Sequence, residues 1–174
     1  MAFSFLRRVF EGLLTGIVVL LLSGLTLVVI VAVVYRYAGA SLPWYDEVAS
    51  IMLAWLTYYG AALAALKRAH IGFPNVVAAM PPRFRMPTVI VSEVLIIAFF
   101  ALMAYMGWYV LEFFEGMRLT SLRWVPLRFT QSVIPIGAAL FILAQLFNLP
   151  QVWREAKGLA PVHHHEIPAE VLKR

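Results

Sequence analysis

Cysteine is absent from the chain, which removes thiol catalysis, disulfide exchange and cysteine-held metal or iron and sulfur centres from consideration. Charge is scarce as well. Charged residues make up 13% and hydrophobic residues 63% of the sequence, against roughly 25% and 45 to 50% in a soluble domain. A water-soluble fold of 174 residues could not hide that much apolar surface. Asp46 is the sole aspartate, so the aspartate clusters that hold a metal in membrane phosphotransfer enzymes are missing. A haem-carrying bundle needs histidines inside its apolar runs, yet His70 borders a run and His163, His164 and His165 stand in a polar tail. That tract lacks other ligands and reads as incidental, so no metal and no cofactor is expected. The formal charge of +5 is dispersed among loops and does not form the basic patch that nucleic acid requires.

What the chain does have is four long apolar runs. Residues 12–35 and 129–153 carry no formal charge, residues 48–66 are flanked by Asp46 and Glu47 before and Lys67 and Arg68 after, and residues 87–111 hold one acid, Glu93. Each is long enough to cross a hydrocarbon layer of about 30 Å at about 1.5 Å per residue. The first run is too long for a secretory signal, whose core spans about 7 to 15 residues, so it reads as a retained helix. Lys and Arg number ten in the segments before the first run, between the second and third, and after the fourth, and four in the other two connections. Basic loops stay in the cytoplasm. The expected fold is therefore all-α and integral to the membrane, a four-helix domain over residues 1–153 with both termini cytoplasmic, followed by a polar tail over 154–174. The apolar segment between Pro74 and Pro81 is expected to lie along the membrane surface between the second and third spans.

Within this layout a few residues stand out. Arg36 reads as a snorkelling cation at a helix end, as the partner of Asp46 or Glu47 that clamps the first two spans into a hairpin, or as both. Trp44 and Trp55 are eleven residues apart, about three turns, and would share a face able to meet lipid or a partner if the helix already includes Trp44. Gly12 and Gly16, Ser23 and Gly24, the group Gly60, Ala61, Ala64 and Ala65, and the group Ala101, Ala104 and Gly107 offer smooth surfaces for helix packing. Glu93 would form a structural ion pair with Arg83 or Arg85 near the basic end of its span. Pro135 removes the hydrogen bond to the Gln131 carbonyl and predicts a kink. Gln145 and Asn148 suit hydrogen bonds between helices.

No reactive centre is visible, and a self-sufficient transporter should show mid-membrane charge or repeated halves. By elimination the chain is a subunit that holds or orients another membrane component. A small membrane enzyme or electron-carrier subunit, with Glu93 and His70 handling protons, and a stand-alone small exporter are the alternatives.

Arg36-Tyr37, Pro43-Trp44, Glu47, Trp55, Gly60 and Lys67-Arg68-Ala69-His70-Ile71, with the late Pro126 and Pro135, resemble the small membrane subunit of tripartite ATP-independent periplasmic (TRAP) transporters, the DctQ-like family. Where members often carry two glutamates, this chain has Asp46 and Glu47, and the charge is kept. The resemblance implies secondary uptake across the bacterial inner membrane, driven by a cation gradient, usually sodium. The solutes would be carboxylates such as dicarboxylates, sialic acid or other organic acids. A periplasmic binding protein delivers the solute, and a much larger membrane subunit holds the substrate and sodium sites and moves. The small subunit is a fixed scaffold beside it, with phospholipid filling gaps. On this reading Arg36, Trp44, Asp46, Glu47, Trp55, Gly60 and His70 are candidates for contact with the large subunit or the binding protein.

Overall fold

In a computed structural model, residues 2–69 and 81–157 are described. Every regular element among them is helical: α1 Ala2–Tyr37, α2 Tyr45–Leu66, α3 Pro82–Phe113, the short α4 Leu127–Gln131, and α5 Val133–Ala156. Among the described residues four helical segments are long and apolar enough to cross a membrane. The helices outrun the apolar stretches because hydrogen bonding, and not hydropathy, ends a helix. α1 has 36 residues, about 54 Å at about 1.5 Å each, well beyond a hydrocarbon layer of about 30 Å. α3 carries Pro87 in its second turn, where the missing N–H leaves the Arg83 carbonyl without its helical donor.

The fourth apolar run is divided at Ser132. The residue keeps right-handed helical angles, φ −61° and ψ −19°, so the break is a change of hydrogen-bond pattern without a change of hand. Pro135 cannot donate to Gln131, and nearby hydroxyls turn back onto the chain: Thr130 Oγ1 donates to the Leu127 carbonyl at 2.8 Å and Ser132 Oγ to that of Phe129 at 2.7 Å. The Ile136 N–H resumes the ladder on the Ser132 carbonyl at 3.2 Å.

The long helices pack in the order α1, α2, α5, α3, each mainly against its neighbour in that row. Every one of these three pairings closes on a glycine. A Cβ on Gly24 would lie 2.7 Å from Met52 Cε, one on Gly137 2.7 Å from Tyr58 Cβ, and one on Gly107 2.9 Å from Ile134 Cγ2. Close backbone approach at small residues is how helices associate where lipid removes the hydrophobic driving force. The inner cluster of Leu14, Ala62, Ala65, Leu66, Phe141 and Ala144 joins α1, α2 and α5, while Phe100 of α3 stacks on Phe141 with ring centroids 3.7 Å apart. The outer sides of α1 and α3 are left uncovered, with Leu20 at 70% and Leu95 at 64% exposure. A row of four therefore has two apolar flanks, unlike a closed bundle.

Candidate functional site

Polar contacts gather at the two ends of the row. At the loop end, which carries residues 38–44 and 114–126, Glu47 lies in the first turn of α2. Its carboxylate accepts the backbone N–H of Thr120 at 3.1 Å and of Ser121 at 2.9 Å, and Ser121 Oγ donates to the Pro43 carbonyl at 3.0 Å. Glu47 thus ties the second loop to α2, and Ser121 ties that loop to the first. Arg36 is exposed in the last turn of α1 and forms no ion pair with Asp46 or Glu47. Of the two readings of Arg36 the clamp is therefore not formed, and Glu47 instead ties the first turn of α2 to the loop 114–126. Trp44 is half-buried immediately before α2, and Asp46 is exposed.

Trp55 turns inward. Its indole N–H donates to the Thr130 carbonyl at 2.9 Å, and its ring lies 5.2 Å from that of Phe129 and 6.3 Å from that of Tyr59, centroid to centroid. It therefore ties α2 to the break between α4 and α5. On its other side, Trp55 and Tyr59 floor an open apolar groove of about 480 Å³ walled by α1 residues from Gly12 to Leu21. A Cβ on Gly12, Gly16 or Gly60 would meet nothing within 4 Å, so these three are not the close contacts of the row.

The opposite end, which carries the start of α1 and the end of α5, is knotted more tightly. Arg68 sits just past α2 and makes two hydrogen bonds to Glu155 of α5, at 2.6 and 2.8 Å. Lys67 Nζ lies 3.4 Å from Glu11 of α1. Arg7 Nη2 donates to the Leu66 carbonyl at 3.1 Å and to Asn148 Oδ1 at 3.3 Å, and Asn148 Nδ2 donates to the Ala65 carbonyl at 2.7 Å. The Leu66 carbonyl at the end of α2 is thereby satisfied from α1, and the Ala65 carbonyl gains a donor from α5.

Glu93 of α3 accepts a hydrogen bond from Gln145 Nε2 of α5 at 2.7 Å. Arg83 and Arg85, expected as its ion-pair partners, are ten and eight residues back on the same helix, about 15 and 12 Å along the axis. The Arg83 guanidinium lies over the Phe84 ring instead, 5.6 Å from its centroid. The helix-to-helix role expected of Gln145 and Asn148 is the geometry observed, and Gln145 is the nearer partner because α3 and α5 are adjacent in the row. Sequence reasoning missed Arg7, Glu155 and Gly137. Their signals are faint, since nothing in a sequence says which neighbour a charge or a glycine will meet. His70, the segment between Pro74 and Pro81, and His163, His164 and His165 lie outside the described residues. Among the described residues no three metal-ligating side chains converge.

Taken together, the helices and the placement of the polar groups define a multi-pass membrane protein whose ionisable side chains brace its own helix ends and loops. The family model of the DctQ component of tripartite ATP-independent periplasmic transporters matches residues 25–155, and the chain belongs to that family of small TRAP membrane subunits. Among curated proteins, none matches it.

Proposed function

We propose that this chain is the non-catalytic scaffold of a secondary TRAP uptake system in the bacterial inner membrane. The system is driven by a cation gradient, sodium in the usual case, and carries organic acids. The chain supports the large membrane subunit that moves the solute and helps to dock the periplasmic binding protein, with phospholipid filling the gaps. Both termini face the cytoplasm, and the loop end faces the periplasm.

The observation that carries this reading is the open row. Uncovered apolar flanks on α1 and α3 suit a wall to which another membrane protein attaches. Glu93, the acid inside an apolar run, is already bonded to an amide of the same chain, which suits a static brace better than an ion path. The candidate contacts divide by depth: Trp44, Asp46 and the loops for the binding protein, the helix flanks for the large subunit.

The absence of cysteine makes cross-linking a clean test. Single cysteines in place of Leu20 on α1 and Leu95 on α3, each in the complex expressed with the large subunit, should between them yield a specific cross-link to that subunit. Omitting the small subunit should abolish uptake. Uptake that persists at the same rate without it overturns the reading.

A further inference from the structure

The segment between α3 and α4 is an ordered hairpin. The Leu119 N–H donates to the Val125 carbonyl at 3.2 Å and the Leu127 N–H to that of Met117 at 3.0 Å, with Arg118 and Pro126 paired across an antiparallel bridge. The Val125 N–H reaches the Leu122 carbonyl at 2.9 Å, so Arg123 and Trp124 are the two central residues of a tight turn. Arg118 Nη1 fastens the turn through the Arg123 carbonyl at 3.0 Å. Leu119 is buried, and Glu47 and Pro43 hold the neighbouring Thr120 and Ser121. This much bracing fixes the backbone of an exposed loop, against its conformational entropy, and displays two side chains at the tip. Trp124 is 74% exposed, and neither Arg118 nor Arg123 forms an ion pair with a carboxylate among the described residues.

We propose that the Arg123–Trp124 turn is a preformed docking tip for an acidic surface with an apolar pocket on the periplasmic binding protein. The inference rests on the docking role proposed above and names the contact. Tryptophan and arginine are the side chains that most often dominate binding energy at protein interfaces. Two arginines without carboxylate partners speed encounter with a surface of opposite charge. Holding the turn rigid before contact lowers the entropy lost on binding. Glu47 is a positioning residue in this scheme: it touches the loop and not the partner.

The test uses the small and large subunits together in nanodiscs, with the binding protein encoded beside them as the probe in a surface-binding assay. The expected result is at least tenfold weaker binding by Arg123→Glu and by Trp124→Ala. The thermal stability of the complex should be unchanged, and the wild-type affinity should fall as salt rises. Equal binding by wild type and both variants overturns the docking tip and leaves the docking role standing on other contacts. Absence of any binding by the wild-type complex overturns the docking role itself, and the tip with it. Quenching of Trp124 fluorescence by brominated lipid in the nanodisc identifies the side chain as a membrane anchor and also overturns the tip.

Discussion

Arg68 reaches Glu155 with both terminal nitrogens of its guanidinium while its own backbone stands in the left-handed region, φ +56°. The Arg68 N–H bonds the Ala65 carbonyl and the Ala69 N–H that of Ala64, the closing pattern of a helix that normally places glycine at this position. The left-handed conformation costs an L-residue roughly 1 to 2 kcal/mol, and the bonds to Glu155 act against that cost. Arg68→Ala keeps the backbone strain and loses the pair, whereas Arg68→Gly loses the pair and relieves the strain. Both should lower the thermal midpoint of the purified complex, with Ala below Gly. Equal midpoints, or Gly below Ala, would show that the backbone conformation is not strained.

Gly137 and Gly60 make opposite predictions from the same substitution. Gly137→Ala drives a methyl into Tyr58 and should destabilise by about 1 to 3 kcal/mol, the usual range for overpacking. Gly60→Ala fills open space and should be neutral or slightly stabilising through helix propensity. Chemical or thermal unfolding in detergent distinguishes the two, and a neutral Gly137→Ala would mean that α2 and α5 stand farther apart than described.

Glu47 holds two backbone amides, so its removal should be read at those amides. In Glu47→Ala the Thr120 and Ser121 amides should exchange with deuterium at least tenfold faster, equivalent to about 1.4 kcal/mol of lost local stability. Amides in the middle of α2 should be unchanged. Unaltered exchange at Thr120 and Ser121 would mean that the hairpin stands without Glu47.

The Glu93 and Gln145 pair predicts an asymmetry. Gln145→Leu leaves an acid facing an apolar neighbour and should cost about 1 to 3 kcal/mol, because a buried polar group without its partner is penalised more than a pair removed together. The double variant Glu93→Leu with Gln145→Leu should recover most of that loss. Additive destabilisation in the double-mutant cycle would show that the two side chains do not depend on each other.

Element type and number were legible because each span is a long apolar run, and a membrane admits few other solutions for such a run. Which helix stands beside which was not. In the order α1, α2, α5, α3 the pairings of α5 close on Gly107 and Gly137, while Gly24 meets only the flexible tip of Met52, and the sequence offers Gly12, Gly16 and Gly60 as equal candidates although a Cβ on these would meet open space. Glu47 was legible as a residue of interest from its place before a span, but not in its role, since its partners are backbone amides more than seventy residues away. Trp55 was expected on an outer face. Its indole N–H instead finds a carbonyl beside the helix break that Pro135 creates. Asn148 was legible as a helix-to-helix hydrogen bonder, but the parts played beside it by Arg7 and Glu155 were not, because helix ends are satisfied by whichever polar groups tertiary packing delivers.

The central claim is that this chain braces a moving partner and moves nothing itself, and reconstitution tests it most directly. The chain alone, the large subunit alone, and the two together are sealed into liposomes under an inward sodium gradient, with the binding protein and a labelled organic acid outside. The account predicts accumulation only where both membrane subunits are present. Gradient-driven accumulation by vesicles holding this chain alone would contradict it.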